Sequence, residues 1–290
     1  MDYIVGAMTI LITGANGAVS REVLRELAAV GDQPVRALLR DTSRAPAVDG
    51  VEYVVGDLDH PDTLGTAFDG ISTLWLLTAM GPLAPSQSMN AMWAARQAGV
   101  GHVVRLSAIG AAFDAPTRNG RLHALSDAEL QNSGIPWTIL RPSHFMQNLL
   151  GSVAEGEMYG LIGDSRVGLI DARDIAAVAA EILLRPQPHA GRIYTLTGPA
   201  SLSLHEAAEE FGRALDRPVR YVPDGPEQAL DRLLAAGLDR WMSEVLAEYR
   251  VAYGSGWGDF ANDHVASVVG RPPRSLAEFA RDHRDSLARD

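Results

Sequence analysis

An apolar run at 9–13 passes through Thr13-Gly14-Ala15-Asn16-Gly17-Ala18-Val19-Ser20 into a pattern with Val19, Val23, Leu24, Leu27 and Ala28 on one helical face. A short aliphatic run, a glycine-containing turn and an amphipathic helix together describe the first strand, turn and helix of a parallel α/β unit. Glycines in such a turn let the backbone approach a pyrophosphate, and the helix N-terminus offers free N–H groups and a positive dipole end. Ser20 stands where the third glycine of the pattern is usual; serine is the next smallest polar choice. A plain structural turn is the competing explanation.

The alternation continues along the chain. Strand patterns at 35–39, 52–55, 71–77, 103–107 and 137–140 alternate with helix patterns at 20–30, 61–68, 86–98 and 121–132. Most of these strand patterns are continuously apolar, as parallel strands covered on both faces must be. The fold class expected is therefore α/β, a doubly wound parallel sheet of Rossmann type. After Pro142 the rhythm changes to helix patterns at 171–184, 203–215, 226–234, 240–249 and 275–281, with one more strand at 192–197. These predict a dinucleotide-binding domain over 1–150, with 167–198 returning to the sheet, and a smaller, mostly helical C-terminal substrate cap from 151–166 and 199–290. Residues 1–7 read as an extension with no structural role.

Composition excludes several chemistries. The 36 acidic and 25 basic residues leave a formal charge of −11, and no basic patch offsets it, so neither nucleic acid nor an anionic membrane is an expected partner. No segment is apolar enough to span a bilayer, and the N-terminal stretch lacks the positive leader of a secretory signal, so the expected location is cytoplasmic. Cysteine is absent, which removes disulfides, thiolate catalysis and thiolate metal sites. All 25 basic residues are arginine, so there is no Schiff-base lysine, no phosphate-loop lysine and no Tyr-x-x-x-Lys reductase pair. The eight histidines are scattered singly and no Gly-x-Ser-x-Gly elbow occurs, so neither a metal site nor a serine hydrolase is expected.

The second strand pattern ends Leu39-Arg40-Asp41. An acidic residue at this end accepts the ribose hydroxyls of NAD, whereas an arginine suits the extra phosphate of NADP. Arg40, with Arg44 four residues on, points to NADP(H) over NAD(H); the alternative makes Arg40 a solvated charge and Asp41 the reader. After the third strand, Asp57 with Leu58 beside it faces two readings. Its carboxylate accepts from an adenine amino group, or it caps the following helix pattern.

Several segments now combine: TGANG at 13–17, GDL at 56–58, LLT at 76–78, VVRLSAIGA at 103–111, SGIPWTILRPSHFMQN at 133–148, IDARDIAAVA at 170–179, YTLTGP at 194–199 and VVGRPPRSLAEF at 268–279. Together they resemble the NmrA-like, atypical short-chain dehydrogenase/reductase family, above all its NADPH-dependent quinone-reductase and triphenylmethane-reductase type members. The resemblance implies that Gly14, Asn16, Gly17, Ala18 and Val19 cradle the pyrophosphate and Arg40 the 2′-phosphate. It implies that Leu77, Thr78 and Ala79 line the adenosine and ribose side, and that Pro142, Ser143 and Phe145, with Asn148, flank nicotinamide and substrate. Ser107 holds the position of the carbonyl-polarising serine of ordinary short-chain reductases, but no tyrosine follows it before Tyr159.

His123 is the residue available to replace the missing pair. It precedes Asp127 by four residues on one helical face, and in the isoflavone-reductase branch a lysine stands at its position. The expected catalytic group is thus His123 as hydrogen-bond donor or proton source, Asp127 as its orienter and Ser107 as carbonyl polariser. A helix-end histidine paired with its own i+4 carboxylate is the plainer alternative. Trp75 and Trp137 are expected in the core, while Met80, Met146, Tyr159 and Trp257 are candidates for an apolar pocket wall. The function expected is hydride transfer from NAD(P)H to a quinone or another planar aromatic carbonyl compound, by a monomer or homodimer. A non-catalytic NADP(H)-sensing regulator with a protein partner is the alternative, because the family holds both.

Overall fold

The computed structural model describes residues 8–160 and 162–288. Seven strands form one sheet: β1 Thr9–Ile12, β2 Val35–Leu39, β3 Val51–Val55, β4 Ile71–Leu76, β5 His102–Leu106, β6 Trp137–Pro142 and β7 Arg192–Leu196, in the order β7-β6-β5-β4-β1-β2-β3. From β3 to β6 every neighbouring pair is parallel, with Ile10 opposite Val35, Ile12 opposite Trp75 and Leu106 opposite Leu140. The chain order reverses between β1 and β4, so a crevice opens at the carboxyl ends of these two strands.

The helices that follow the strands are α1 Ala18–Val30, the single turn α2 Gly65–Phe68, α3 Ala84–Ala98, α4 Arg118–Gln131 and α5 Ala172–Leu184. α1 buries Val19, Val23, Leu24 and Leu27, the stripe its sequence predicts, and ends where Gly31 takes the left-handed conformation. On one face of the sheet Leu11, Leu38, Leu74, Leu76 and Val103 pack with Leu64, Phe68, Met92 and Ala95. The helix expected at 61–68 is a 3₁₀ turn, Pro61–Thr63, followed by α2. Here Leu64 is fully buried and the Thr63 hydroxyl donates to the His60 carbonyl, so side-chain burial and a local turn bond outweigh continuous helix.

The chain divides into two compact units. The first holds the described residues up to Phe113 with Leu122–Arg141 and Ile175–Tyr194; the second holds Asp114–Arg121, Pro142–Asp174 and Thr195 to the C-terminal end. Residues 114–121 and 142–150 thus group with the second unit, unlike the expected division.

Helices of the second unit are α6 Leu204–Leu215, α7 Pro226–Ala235, α8 Arg240–Gly254, α9 His264–Val269, α10 Leu276–Asp282 and α11 Arg284–Leu287. α6 and α10 each begin in a capping box, Ser203 with Glu206 and Ser275 with Glu278. This unit also carries two small sheets, Val153–Ala154/Glu157–Met158/Arg220–Tyr221 and Arg166–Val167/Leu202–Ser203, which the sequence reading omits. Strands of two residues are too short to leave a period in the sequence. Asp174, fully buried, accepts from the guanidiniums of Arg271 and Arg274 and from the Arg274 backbone N–H, which explains the arginines of the 268–279 segment. Among the described residues no helix is long and apolar enough to cross a membrane.

Candidate cofactor and active site

The glycine turn is built for close approach. Gly14 has φ +62, and a Cβ there would lie 2.7 Å from Leu77 Cδ2 and 3.2 Å from the Leu77 carbonyl oxygen. Only glycine meets both conditions. The Thr13 hydroxyl donates to the Leu77 carbonyl (2.9 Å) and accepts from the Leu77 N–H (2.8 Å), stitching the ends of β1 and β4 together. Ser20, fully buried, donates to the Thr13 carbonyl and accepts from the Trp75 indole N–H at 2.9 Å. A serine in place of the third glycine therefore bonds strand to helix rather than merely allowing contact. Trp75 is core, and Trp137 packs against the core.

α1 begins at Gly17 with no side-chain cap and no acidic residue in its first turn. An uncapped N-terminus keeps its N–H groups and its partial positive charge available to an anion. In front of it lies a cavity of about 350 Å³, lined among others by Gly14, Asn16, Gly17, Arg40, Asp57, Leu58, Leu77 and Ala79. That size falls within the range of small-molecule pockets. Ala18 is exposed at the helix start, the Val19 side chain belongs to the core, and Thr78 is partly buried; none of the three lines the cavity.

Sequence reasoning passed over Leu38, Leu39, Asp59 and Gln87, which also line it. The Gln87 amide on α3 donates to Asp59 (3.1 Å) and Asn90 donates to the Leu58 carbonyl (2.8 Å), so α3 holds the 57–59 turn in place. The Asp57 carboxylate accepts from the Asp59 N–H at 3.0 Å, capping its own turn and not the 3₁₀ helix, whose N-cap is His60.

Two arginines and three aspartates, Asp41, Asp57 and Asp59, carry the charges of the cavity lining. Arg40 and Arg44 line it, both are exposed, and neither is ion-paired among the described residues. The Asp41 carboxylate accepts from the Ser43 N–H (2.9 Å) as the cap of the turn Thr42–Arg44, and hydrogen bonding from the Ser43 hydroxyl and then this N–H holds it below the usual carboxylate range. Asp41 caps this turn and also lines the cavity, with the exposed guanidinium of Arg40 beside it. The residues present fit a dinucleotide: space against Gly14, an uncapped helix for the pyrophosphate, and free guanidinium groups at the second strand's end.

The expected catalytic group is arranged differently. Asp127 is buried and bonded to none of the atoms of His123; it accepts from Arg105 Nε (3.1 Å), Arg141 Nη2 (2.8 Å) and Ser107 Oγ (2.9 Å). Asp127 therefore does not act as an orienter hydrogen-bonded to His123, because two buried or half-buried guanidiniums claim its oxygens. Ser107 donates its only proton to Asp127, so it has none to give a substrate carbonyl. His123, half-buried, faces Arg105 Nη2 at 3.4 Å. Burial and the charge of Arg105 push its pKa down to about 3, with Arg141 adding to this and Asp127 opposing it, which favours the neutral ring. Sequence reasoning missed Arg105 and Arg141, although each interrupts an otherwise apolar strand and so signals a buried counter-charge.

In the second unit Pro142 and Ser143 are buried and Phe145 is half-buried. Ser143 Oγ, in a residue 3% exposed, has no hydrogen-bond partner among the described residues. His144 meets Tyr253 edge-on at 5.8 Å, and Tyr253 packs with Tyr249 and Trp257 in one aromatic cluster. Of the other pocket candidates, Met80 in the first unit is exposed and Asn148 in the second is exposed, while Met146 is core. Tyr159 is held by a hydrogen bond to Glu157 and by the Arg232 guanidinium 3.8 Å above its ring.

Residues 14–186 match a family described as NAD(P)H-binding. The chain is 38% identical over 283 residues to an NAD(P)H azoreductase of Xenophilus azovorans, covering 94% of this chain and 97% of that protein. It is 34% identical over 288 residues to a (4-alkanoyl-5-oxo-2,5-dihydrofuran-3-yl)methyl phosphate reductase of Streptomyces griseus, covering 96% and 99%. A solved NADPH-dependent quinone oxidoreductase of Escherichia coli, in complex with NADPH, superposes with a TM-score of 0.84 at 25% identity, over 94% of this chain and 99% of that one.

Proposed function

The chain belongs to an NAD(P)H-binding family, and from that premise we propose that it is an NADPH-dependent reductase of NmrA-like type that passes hydride to a quinone or another planar aromatic acceptor. The observation that carries the cofactor choice is Arg40, exposed, without an ion pair among the described residues, and lining the cavity one residue past the second strand. Arg40 and Arg44 hold the 2′-phosphate, the first turn of α1 holds the pyrophosphate, and the 57–59 turn meets the adenine side. Pro142, Ser143 and Phe145 are assigned to the nicotinamide end; the Ser143 hydroxyl, without a partner among the described residues, supports this, since a buried polar atom needs a partner. The reduced nicotinamide supplies hydride there.

A substrate that accepts hydride readily suits the remaining residues. No Tyr-Lys pair is present and Ser107 is committed to Asp127, so no side chain of the usual kind donates a proton. A quinone or an azo compound needs little acid assistance, because water can supply the proton to the reduced product. The relatives named as an azoreductase and a quinone oxidoreductase support the same class.

The test is oxidation of NADPH, followed by its absorbance, against quinones, azo dyes and aromatic ketones, with NADH in parallel. Turnover with quinones or azo dyes, faster with NADPH, is the expected result. Tight NADPH binding without oxidation by any acceptor would replace the reductase with a redox-sensing regulator.

A further inference from the structure

Arg105 on β5 is 1% exposed, and its nitrogens are shared among three partners. Nε donates to Asp127 Oδ1 (3.1 Å), Nη1 to the buried Ser88 hydroxyl (3.4 Å), and Nη2 lies 3.4 Å from His123 Nδ1. A guanidinium has donors only and stays charged. The ring nitrogen facing it must therefore accept, and a neutral imidazole that accepts at Nδ1 carries its proton on Nε2. The charged groups facing the ring are Arg105 from β5, Arg141 from β6 and Asp127 from α4 itself, two cations against one anion.

The ring's place along the sheet follows from its neighbours. Ser107, the first residue past β5, bonds to Asp127, so Asp127 marks the carboxyl edge of the strand. α4 runs back from that edge, and His123 is four residues nearer its start, about 6 Å further out along the axis. It therefore stands beyond the strand ends, on the edge where Leu77 follows β4, and doubly wound sheets bind the reacting ends of their ligands at this edge.

We propose that Arg105 is a positioning residue that locks His123 as a neutral Nε2–H donor aimed at the acceptor atom of the substrate. This rests on the reductase reading above. In the step it serves, the hydride's C–H bond in the reduced nicotinamide breaks, a bond from hydrogen to the acceptor forms, and the acceptor gains both electrons. The Nε2–H bond stabilises the negative charge that develops on the acceptor. His123 keeps its proton throughout, and water provides the one that completes the product.

Histidine labelled with nitrogen-15 reads the tautomer directly by long-range proton–nitrogen NMR, the His123 signal being assigned by its loss in His123→Gln. The expected result is an Nε2–H ring that does not titrate from about pH 5 to about pH 8. A ring that protonates in this range, or carries its proton on Nδ1, overturns the proposal. In kinetics, His123→Gln keeps a donor near the Nε2 position and retains kcat within about threefold, whereas His123→Leu lowers kcat about 10- to 100-fold with NADPH affinity unchanged. Equal kcat in the two variants overturns it. Arg105→Met frees Nδ1, so His123 begins to titrate and kcat becomes pH-dependent; if this variant does not fold, the wild-type spectrum and the Gln–Leu pair decide. Failure of every acceptor to oxidise NADPH would remove the reductase reading, whereas an active reductase whose His123 titrates would remove this proposal alone.

Discussion

Replacing Asp127 with alanine tests whether this residue is a structural counter-ion or a member of a catalytic relay. Its carboxylate, 2% exposed, accepts from Arg105, from Arg141 and from Ser107. Without it, Arg105 keeps its charge at 1% exposure with Ser88 and His123 as its remaining hydrogen-bond partners among the described residues, each at 3.4 Å. Arg141, 21% exposed at its side chain, can turn to water and loses less. Removing one partner of a buried ion pair costs about 3–5 kcal/mol. At about 2–4 °C per kcal/mol for domains of roughly 150–250 residues, the melting temperature should fall by about 6–20 °C. Urea unfolding followed by tryptophan fluorescence, with a thermal melt at neutral pH, measures both. The double replacement Arg105→Met with Asp127→Leu should recover most of the loss, because it leaves no buried charge unpaired. A single-variant loss below about 1 kcal/mol would refute the assignment of Asp127 as the counter-ion of a buried Arg105.

Gly14→Ala should weaken NADPH binding about tenfold or more, because the left-handed backbone costs an alanine about 1–2 kcal/mol and its Cβ meets Leu77 at 2.7 Å. Fluorescence titration measures this, and unchanged affinity would count against the glycine turn as the cofactor cradle. Arg40→Ala should raise the Kd for NADPH about 10- to 100-fold while leaving NADH within about twofold, and equal loss for both would remove Arg40 as the phosphate reader. Acid stability should depend on His102, which is 2% exposed and bonded through Nε2 to the Thr138 hydroxyl at 2.9 Å. Burial lowers its pKa from 6.5 to about 4, so the unfolded chain takes up the proton first. Its contribution, up to about 3 kcal/mol, is present above about pH 6.5 and is lost as pH falls toward about 4. Unfolding measured across that window should show a shallower slope in His102→Gln, and an unchanged slope would contradict the assignment.

Features decided by neighbours along the chain could be read from the residues alone. The continuous apolar runs, the glycine turn at Gly14 and Gly17, and Arg40 one residue past the second strand all lie within a few residues of the structures they specify. Strand period, left-handed glycine and the end of a parallel strand are local properties, so the Rossmann sheet and several residues lining the candidate cavity were legible. The surroundings of His123 and Asp127 were not. His123 and Asp127 share a helical face at i,i+4, but spacing only permits a pair. Asp127 is bound instead by Arg105, 22 residues earlier on β5, and by Arg141, 14 residues later on β6. Burial makes an unpaired guanidinium far more costly than an unpaired histidine, so the carboxylate goes to the arginines. That contest is settled where folding brings β5, β6 and α4 to the same buried point.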